Sequence, residues 1–264
     1  MQARILAIAN CKGGTGKSTI AVNLAAELGA RGYRVLVADL DPQGHAGLGF
    51  GTIETDASCT VHAAFRQWDA NLAHAVRATC EGRVDLIPAD RGFDGRILLN
   101  DPRCLARALE PLRANYDIIL LDSPPSAANI IVCALLASEG ALVPTALDYL
   151  ALDGVRQFVR AYHNVMLKLN ATLLGLAIAP TNFDFRTNIQ RLVLARLLSS
   201  FGHGQVIRGI RTDVSLAEAF GAGVPLRRYR PRTRAIEDFG VMADEVTRRF
   251  SVSCAAQAHR ASAA

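Results

Sequence analysis

Short apolar runs alternate along the chain with longer segments in which apolar residues recur every three or four positions. The short runs are typical of buried strands, and the wider spacing is typical of helices that pack one face on a core. The runs predict strands over residues 4–9, 34–39, 84–87, 117–122, 141–144 and 172–179, with a weaker one over 205–207. The spacing predicts helices over residues 18–30, 72–80, 104–115, 129–138, 154–169, 188–200, 214–220 and 234–250.

This alternation predicts an α/β fold, because consecutive parallel strands need a crossover that a helix usually supplies. We expect a mostly parallel, twisted sheet with helices on both faces. The 264 residues could hold one large domain or two small ones, but no internal repeat or low-complexity linker separates two halves. We therefore expect one domain over residues 1–250 and a flexible tail over 251–264, which ends in small, weakly patterned residues.

The residues between the first strand and the first helix form the run C-K-G-G-T-G-K-S-T at positions 11–19. Its glycines permit positive φ and lack Cβ atoms, so backbone N–H groups can turn toward phosphate oxygens at a helix N-terminus. Two of the three lysines in the chain lie here, although Lys and Arg together number 29. The run predicts a P-loop NTPase-like phosphate site built from Lys12, Gly13, Gly14, Thr15, Gly16, Lys17, Ser18 and Thr19.

Three side chains of this loop have distinct expected tasks. Lys17 can reach the β- and γ-phosphates of a nucleotide. The Ser18 hydroxyl is a candidate ligand of Mg²⁺, and Thr19 can hydrogen-bond an inner phosphate.

Carboxylates follow two of the predicted strands where those strands end. Asp39 and Asp41 close the strand over 34–39, and Asp122 closes the strand over 117–122. In an open parallel sheet the carboxyl ends of the strands form the edge at which ligands bind. We expect these acids to serve Mg²⁺ through water and to orient an attacking water molecule.

The glycine run departs from the ordinary G-x-x-x-x-G-K-[ST] pattern, because Cys11 replaces its first glycine and Lys12 follows. This is a deviant Walker A motif, and through it the chain resembles the ParA/MinD ATPase family. D-L-D-P-Q at 39–43, the segment 148–154, T-N-F-D-F-R-T-N at 181–188 and the segment 210–219 also resemble family segments, although Ile210-Arg211 lacks the usual intervening proline. D-S-P-P at 122–125 favours the ParA branch.

The resemblance implies a role for each matched residue. Lys12 crosses a dimer interface and contacts the nucleotide of the other subunit, so it is catalytic together with Lys17 and Asp41. Asp39 belongs to the magnesium shell, as do Ser18 and the Walker B residue Asp122. The segments that contain Asn182 and Arg211 lie near the adenine.

The excess positive charge of the chain is concentrated in its C-terminal third. Residues 180–234 hold ten arginines against three acids, or 10 − 3 = +7, whereas the whole chain carries +5. Such a patch can bind DNA phosphates without reading sequence, and no helix-turn-helix, zinc finger or aromatic platform suggests sequence-specific readout. We expect DNA contacts from Arg186, Arg211, Arg227, Arg228 and Arg230, with a solvated arginine-rich face as the alternative.

The resemblance also implies the whole activity. ATP and Mg²⁺ would close two subunits into a sandwich homodimer that binds nonspecific DNA of the nucleoid. A ParB-like adaptor on a cargo would stimulate hydrolysis of ATP to ADP and phosphate, which is slow without it. The cargo, which could be a plasmid, a chromosome or a protein organelle, is not identified by these residues.

Two other functions remain open at this point. A MinD-like membrane ATPase would need a C-terminal amphipathic helix, but residues 254–264 contain no Leu, Ile, Phe or Trp. A metabolic or redox enzyme that shares the deviant loop, such as a dethiobiotin synthetase or a nitrogenase iron protein, would show turnover that depends on a small molecule or would need cluster-binding cysteines.

Cysteine spacing and hydropathy bear on the compartment. The six cysteines form no C-x-x-C pair and no His/Cys cluster at zinc spacing, which predicts neither a disulfide framework nor a zinc site. The longest apolar runs are too short to span a bilayer. Because Met1 leads directly into an apolar strand, we expect no signal peptide and a reducing, cytoplasmic location.

Overall fold

The computed structural model describes residues 2–54, 56–97, 101–125 and 127–254. It confirms a single α/β domain with one eight-stranded, mostly parallel sheet. The strands are β1 (Arg4–Ile8), β2 (Val35–Asp39), β3 (Arg77–Ala78), β4 (Val84–Ile87), β5 (Ile118–Asp122), β6 (Gly140–Ala146), β7 (Leu176–Phe183) and β8 (Ile210–Arg211). The helices are α1 (Lys17–Ala30), α2 (His45–Gly49), α3 (Cys104–Leu109), α4 (Ala128–Ala137), α5 (Ala151–Lys168), α6 (Asn188–Phe201), α7 (Ser215–Gly221), α8 (Leu226–Tyr229) and α9 (Arg234–Arg249).

The strand order in the sheet is β3-β4-β2-β5-β1-β6-β7-β8. Every adjacent pair is parallel except β3 with β4 at one edge. The carboxyl ends of β1, β2 and β5 therefore meet at the centre of one edge. The glycine loop after β1 and the acid-containing segments after β2 and β5 therefore lie at this edge.

The sheet separates two apolar cores. Successive residues of β1 alternate between them, with Ile5 and Ala7 in one core and Leu6 and Ile8 in the other. This alternation follows from the two-residue period of a strand. Because both faces are covered, the central strands are apolar throughout, as parallel sheets require.

The prediction of a helix over residues 72–80 is wrong. A 3₁₀ turn covers Leu72–Ala75, and Arg77–Ala78 form the edge strand β3. The Asn71 side chain accepts a hydrogen bond from the Ala73 N–H at 3.0 Å and starts the turn. Pairing of β3 with β4 then satisfies the following backbone groups, so tertiary pairing overrides a weak helical pattern.

Several further boundaries differ from those predicted; helix α5, for example, begins three residues earlier than expected, at Ala151. Helix α3 ends at Leu109 and continues as a 3₁₀ turn over Glu110–Leu112, because Pro111 lacks a backbone N–H. Strand β7 begins four residues later than predicted, because the Asn170 side chain holds the backbone N–H of Thr172 in a turn at 3.2 Å. The weak strand over 205–207 is a single bridge between Ile178 and Val206.

The end of the described chain packs on the protein. Val252 and Cys254 are buried in the core that contains α9. The remainder of the expected tail lies outside the described residues. Within the described ranges, no helix is both long and apolar enough to cross a membrane.

Candidate nucleotide site at the carboxyl edge of the sheet

The glycine run forms the loop between β1 and α1. Gly14 and Gly16 have φ of +70° and +82°, values that favour glycine because a Cβ atom would be strained there. Gly16 directly precedes α1, and no side chain of the described residues caps that helix. The first N–H groups of α1 are therefore available to an anion, as in phosphate loops.

The two lysines of the loop have different environments. Lys17 is buried, and its Nζ donates to the Lys12 carbonyl oxygen at 3.1 Å. Burial lowers the pKa of Lys17, and the nearby Asp122 and Asp41 oppose that shift. Lys12 instead places its Nζ 2.5 Å from an Asp148 oxygen, in a pair whose side chains are 34% and 47% exposed. Lys17 thus points into the site, and Lys12 lies at its rim.

Asp39 and Asp122 are neighbours across the sheet, because they are register partners on the parallel strands β2 and β5. Both are fully buried. The Asp39 oxygens accept from the N–H groups of Asp41 at 3.2 Å and Gly47 at 3.1 Å. Both Asp122 oxygens lack a hydrogen-bond partner among the described residues. Buried acceptors without a hydrogen-bond partner destabilise a fold, so this arrangement favours a bound ligand at the Asp122 carboxylate.

The charge of this pair is poorly compensated by the described protein groups. Burial raises the pKa of Asp122 to about 7, the Asp41 carboxylate adds to that rise, and Ser18 and Lys17 oppose it. Burial, followed by the Asp122 charge, also raises the pKa of Asp39. A divalent cation would relieve both effects by stabilising the ionised carboxylates.

These residues fit Mg²⁺. The ion prefers oxygen ligands and commonly takes only one or two groups from the protein, with water and substrate phosphates completing its shell. The Ser18 hydroxyl, Asp39 and Asp122 supply such oxygens at one edge. Among the residues that the structure describes, no group of three or more His, Cys, Asp or Glu is placed to hold a metal ion.

Asp41, the predicted catalytic acid, is also buried. Its Oδ1 accepts from the Gln43 N–H at 3.0 Å, while its own N–H binds Asp39. The turn formed by residues 41–44 therefore orients the Asp41 carboxylate beside Asp39 and Asp122, the acids that could serve Mg²⁺.

A cavity of about 310 Å³ extends from the phosphate loop and has the dimensions of a nucleoside site. It is lined by loop residues, by Thr181 and Asn182 of β7, and by apolar residues of α7. Asn182 has φ of +49°, a left-handed conformation that Asn tolerates better than most residues. The structure thus brings four of the predicted phosphate residues, Gly14, Thr15, Gly16 and Thr19, together with Asn182 at one cavity, whereas Lys12, Gly13, Lys17 and Ser18 do not line it.

Arg211 does not line this cavity. Its guanidinium is held by the buried Asp238 carboxylate, with Nε and Nη2 donating at 2.9 and 2.8 Å. Gly209 stands near the position where the resembled motif has a proline. A Cβ atom on Gly209 would lie 2.0 Å from the Pro180 carbonyl oxygen, so only glycine permits this close approach of the segment before β8 to β7.

Sequence reasoning missed three residues that shape the loop. Asn10 is buried, donates to the Pro144 carbonyl at 2.7 Å and accepts from the Lys12 N–H at 3.1 Å. Thr181 donates from Oγ1 to the Thr15 carbonyl at 2.9 Å. Asp148 holds the Lys12 side chain. Asn10 had a local signal as the first polar residue after the predicted strand over 4–9, and Asp148 and Thr181 lie in segments that already resembled the family, although neither was assigned a role.

A second and larger cavity, which we call the arginine groove, adjoins the nucleoside cavity. It has a volume of about 1150 Å³, and it shares the wall residue Asp213 with its neighbour. The arginines that line it are Arg186, Arg191, Arg211, Arg230, Arg232 and Arg234. Two residues expected with them lie outside it, because Arg227 pairs with Glu27 at 2.7 Å and Arg228 donates to the Cys80 carbonyl at 2.7 Å.

Comparison with known proteins identifies the class to which this fold and site belong. A family model described as an AAA domain matches residues 3–174. The sporulation initiation inhibitor protein Soj of Bacillus subtilis is 36% identical over 248 residues, which cover 92% of this chain and 98% of Soj. The chromosome-partitioning ATPase Soj of Thermus thermophilus is also 36% identical, over 93% of this chain and 96% of its own length.

A solved structure similar to this chain contains a nucleotide analogue and magnesium. The cobyrinic acid a,c-diamide synthase of Mycobacterium smegmatis, with bound ATP analogue and magnesium, superimposes with a TM-score of 0.79 at 28% identity, covering 94% of this chain and 96% of that one. The chain belongs to the ParA/Soj family of P-loop ATPases. Its cofactors are ATP and Mg²⁺.

The geometry accounts for hydrolysis through charge placement and orientation. Backbone N–H groups around Gly14 and Gly16 and the buried Lys17 ammonium lie where they could donate to phosphates, and donors fixed in this way would stabilise charge that develops in transfer. When bound, Mg²⁺ neutralises phosphate charge, and Ser18, Asp39 and Asp122 are the residues that would hold it. Burial of these groups excludes water and strengthens each electrostatic contact.

Proposed function

We propose that this ATPase forms an ATP-dependent sandwich dimer, binds DNA without sequence preference and positions a cargo whose ParB-like adaptor stimulates hydrolysis. The observation that carries the proposal is the shared wall of the two cavities, since Asp213 lines both the nucleoside cavity and the arginine groove. A change in occupancy of one cavity can therefore move residues of the other. This gives a physical route from the nucleotide to a cationic surface.

The rim of the nucleotide site supports the dimer. The Lys12 ammonium is partly exposed and held by Asp148 of the same chain. Directly beside Asp148, Tyr149 and Leu150 are 70% and 66% exposed. Adjacent large apolar side chains on a surface are typical of protein contacts. We propose that Lys12 leaves Asp148 when a second subunit presents its nucleotide, so that one ion pair replaces another.

The arginine groove supports DNA binding, although its arginines differ in whether they are already paired with acids of the same chain. Arg186 is paired with Asp184, and Arg230 contacts Ser215 and Glu218. Of the groove arginines, Arg191, Arg232 and Arg234 are exposed and take part in no ion pair within the described ranges, but Arg191 donates to the Asn188 side chain, which leaves Arg232 and Arg234. These two are therefore the freest cations for phosphate contacts, whereas Arg227, Arg228 and Arg211 have structural partners.

A DNA-binding measurement with ATP and Mg²⁺, with ADP and without nucleotide tests the switch. We expect tight binding to random-sequence duplex only with ATP, and a loss of affinity as salt rises, because binding releases counterions. Equal affinity in all three states would overturn the coupling between nucleotide and DNA.

The role of Lys12 is tested by Lys12→Gln, with Lys168→Gln as the control because Lys168 is exposed at the end of α5. We expect Lys12→Gln to retain ATP binding in part and to lose the ATP-dependent dimer in sedimentation, while the control dimerises normally. A Lys12→Gln protein that still dimerises with ATP would show that the lysine has no cross-subunit task.

One observation favours a second candidate, an ATP-dependent metabolic enzyme. The 28% identical structure is named for an amide-forming synthase. The two proteins named Soj, one of which is described as a chromosome-partitioning ATPase, are nearer in sequence, at 36% identity, so the partition function is preferred. ATP turnover that requires a small molecule and ignores DNA would reverse this preference.

The proposal carries expectations about location and organisation. A protein that binds the nucleoid works in the cytoplasm, without a membrane partner. The ATPase domain is proposed to comprise residues 1–250, with 251–264 as a tail whose first part packs on the domain through Val252 and Cys254. Limited proteolysis followed by mass spectrometry tests that boundary.

A further inference from the structure

A buried histidine contacts the backbone between Asp39 and Asp41. His62 lies in a 3₁₀ turn over Val61–Phe65 and is fully buried. Its ring stacks on Phe93, with centroids 4.2 Å apart and planes at 26°, and it also meets Phe65. Its two nitrogens both have backbone partners, so none of its polar capacity is left unused.

The hydrogen bonds assign the tautomer. Nδ1 of His62 accepts from the Asp90 N–H at 2.9 Å. Nε2 lies 3.2 Å from the Leu40 carbonyl oxygen, which can only accept. A neutral imidazole has one donor and one acceptor, so Nε2 carries the proton and donates to Leu40. Burial in this aromatic cluster lowers the pKa of His62 to about 4, which keeps the ring neutral.

Leu40 is the residue between Asp39 and Asp41. Its N–H donates to the Asp122 carbonyl at 2.8 Å, and its own carbonyl accepts from His62. The two peptide groups that flank Leu40 lead directly to the carboxylates of Asp39 and Asp41. The peptide group between Asp39 and Leu40 is therefore held by β5, and the peptide group between Leu40 and Asp41 is held by His62.

The far side of His62 is also fixed. The Asp90 carboxylate accepts from the Gly92 N–H at 2.8 Å and from Arg66 at 2.6 Å. These bonds hold the loop that presents the Asp90 N–H to the ring. Val61 adds a second tie, since its N–H donates to the Pro88 carbonyl at 2.9 Å. The histidine thus connects a rigid loop after β4 to the acids after β2.

We propose that His62 is a positioning residue for ATP hydrolysis, which holds the Leu40 carbonyl so that Asp39 and Asp41 keep their orientation toward the nucleotide. The inference rests on the proposed role of Asp41 and extends it to a residue that does not touch the nucleotide. Loss of the bond to Leu40 should slow the chemical step, because small misplacements of a reacting group are costly. It should leave the affinity for ATP, measured without Mg²⁺, unchanged, because the phosphate loop is untouched and the shifted acids include Asp39, which is expected to serve Mg²⁺.

Two matched variants separate the two bonds of the ring. His62→Gln can place its amide nitrogen where Nε2 stands and keep the donor to Leu40. His62→Asn can place its oxygen where Nδ1 stands and keep the acceptor for Asp90, but it has no donor for Leu40. A role in stability alone would affect both variants alike.

Single-turnover hydrolysis, ATP affinity without Mg²⁺ and thermal unfolding are measured for both variants beside Asp41→Ala. We expect His62→Asn to hydrolyse ATP about 10-fold more slowly with an unchanged Kd, and His62→Gln to stay within roughly 3-fold of the parent. Nitrogen-15 shifts of labelled histidine in the parent should show the Nε2–H tautomer. A signal from the other tautomer would overturn the assignment.

The outcomes separate the positioning role of His62 from the catalytic role of Asp41. A parental rate in His62→Asn together with a slow Asp41→Ala would overturn the role of His62 and leave that of Asp41 intact. A parental rate in Asp41→Ala would remove the premise and overturn both. If His62→Asn fails to fold, the His62→Gln rate decides, because a slow but stable His62→Gln with parental Kd contradicts rescue through Leu40.

Discussion

At the carboxyl edge of the sheet the acids are buried, and the Asp122 oxygens meet the geometry of no hydrogen bond among the described residues. The arginine groove next to this edge is instead open, and several of its cations are already paired. The first region depends on fixed geometry at low dielectric, where each group has a large effect. The second depends on net charge at a solvated surface, where each group has a small and salt-dependent effect. The difference predicts sharp losses from single changes at the edge and graded losses in the groove.

The largest effect is expected at Lys17, the buried ammonium of the nucleotide edge. Lys17→Ala should lower the hydrolysis rate by about 10² to 10³-fold, because it removes a preorganised donor to the phosphates. Lys168→Ala is the control, since it removes an exposed lysine of α5. A loss of less than about tenfold in steady-state phosphate release would contradict the assignment of Lys17.

The free energy of unfolding should depend on pH through the ionisation of Asp122. Its pKa is raised to about 7 by burial, so between about pH 4 and pH 7 the folded state keeps a proton that the unfolded state releases. The unfolded state then binds fewer protons, and the free energy of unfolding falls as pH rises through this window. Stability from this group is full below about pH 4 and lost above about pH 7.

Asp122→Asn should therefore stabilise the metal-free protein at pH 8 by about 1–2 kcal/mol, with a smaller gain at pH 5, while hydrolysis declines. Urea unfolding at both pH values measures the gain. Asp39 shifts in the same direction and remains in the variant, so part of the pH dependence should persist. An equal change at both pH values would contradict the ionisation argument.

In the arginine groove, the double substitution Arg232→Ala/Arg234→Ala should weaken DNA binding about 10-fold at moderate salt. The slope of log affinity against log salt should fall by about 1 for each arginine that no longer neutralises a phosphate. Arg96→Ala is the matched control, because Arg96 is exposed in another loop. Parental affinity and slope in the double variant would place the DNA surface elsewhere.

The smallest effect is expected from Arg227, which lies in the arginine-rich segment but not in the groove. It pairs with Glu27, a nearly buried carboxylate that also binds Arg31. Arg227→Ala should lower the free energy of unfolding by up to about 1 kcal/mol and leave DNA affinity within roughly 2-fold. Weakened DNA binding with parental stability would join Arg227 to the DNA surface.

The sequence alone was enough for most of the fold and for the phosphate half of the site. Strands and helices with strong periodicity, such as β1, α1 and β5, were predicted within a residue or two, because their apolar pattern dictates both conformation and burial. The glycine loop and Ser18 were predictable for a related reason, since their chemistry depends on local backbone freedom and on spacing within nine residues.

Other features depended on contacts between distant segments and had no local signal. The edge strand β3 exists because β4 pairs with it, and Lys12 meets Asp148 across 136 positions. Charge composition marked the arginine-rich third, but only tertiary packing decided that Arg227 and Arg211 would bind acids of their own chain. Local patterns determine which groups are present, and the folded chain determines which of them are already paired, because pairing depends on distances that the sequence order does not contain.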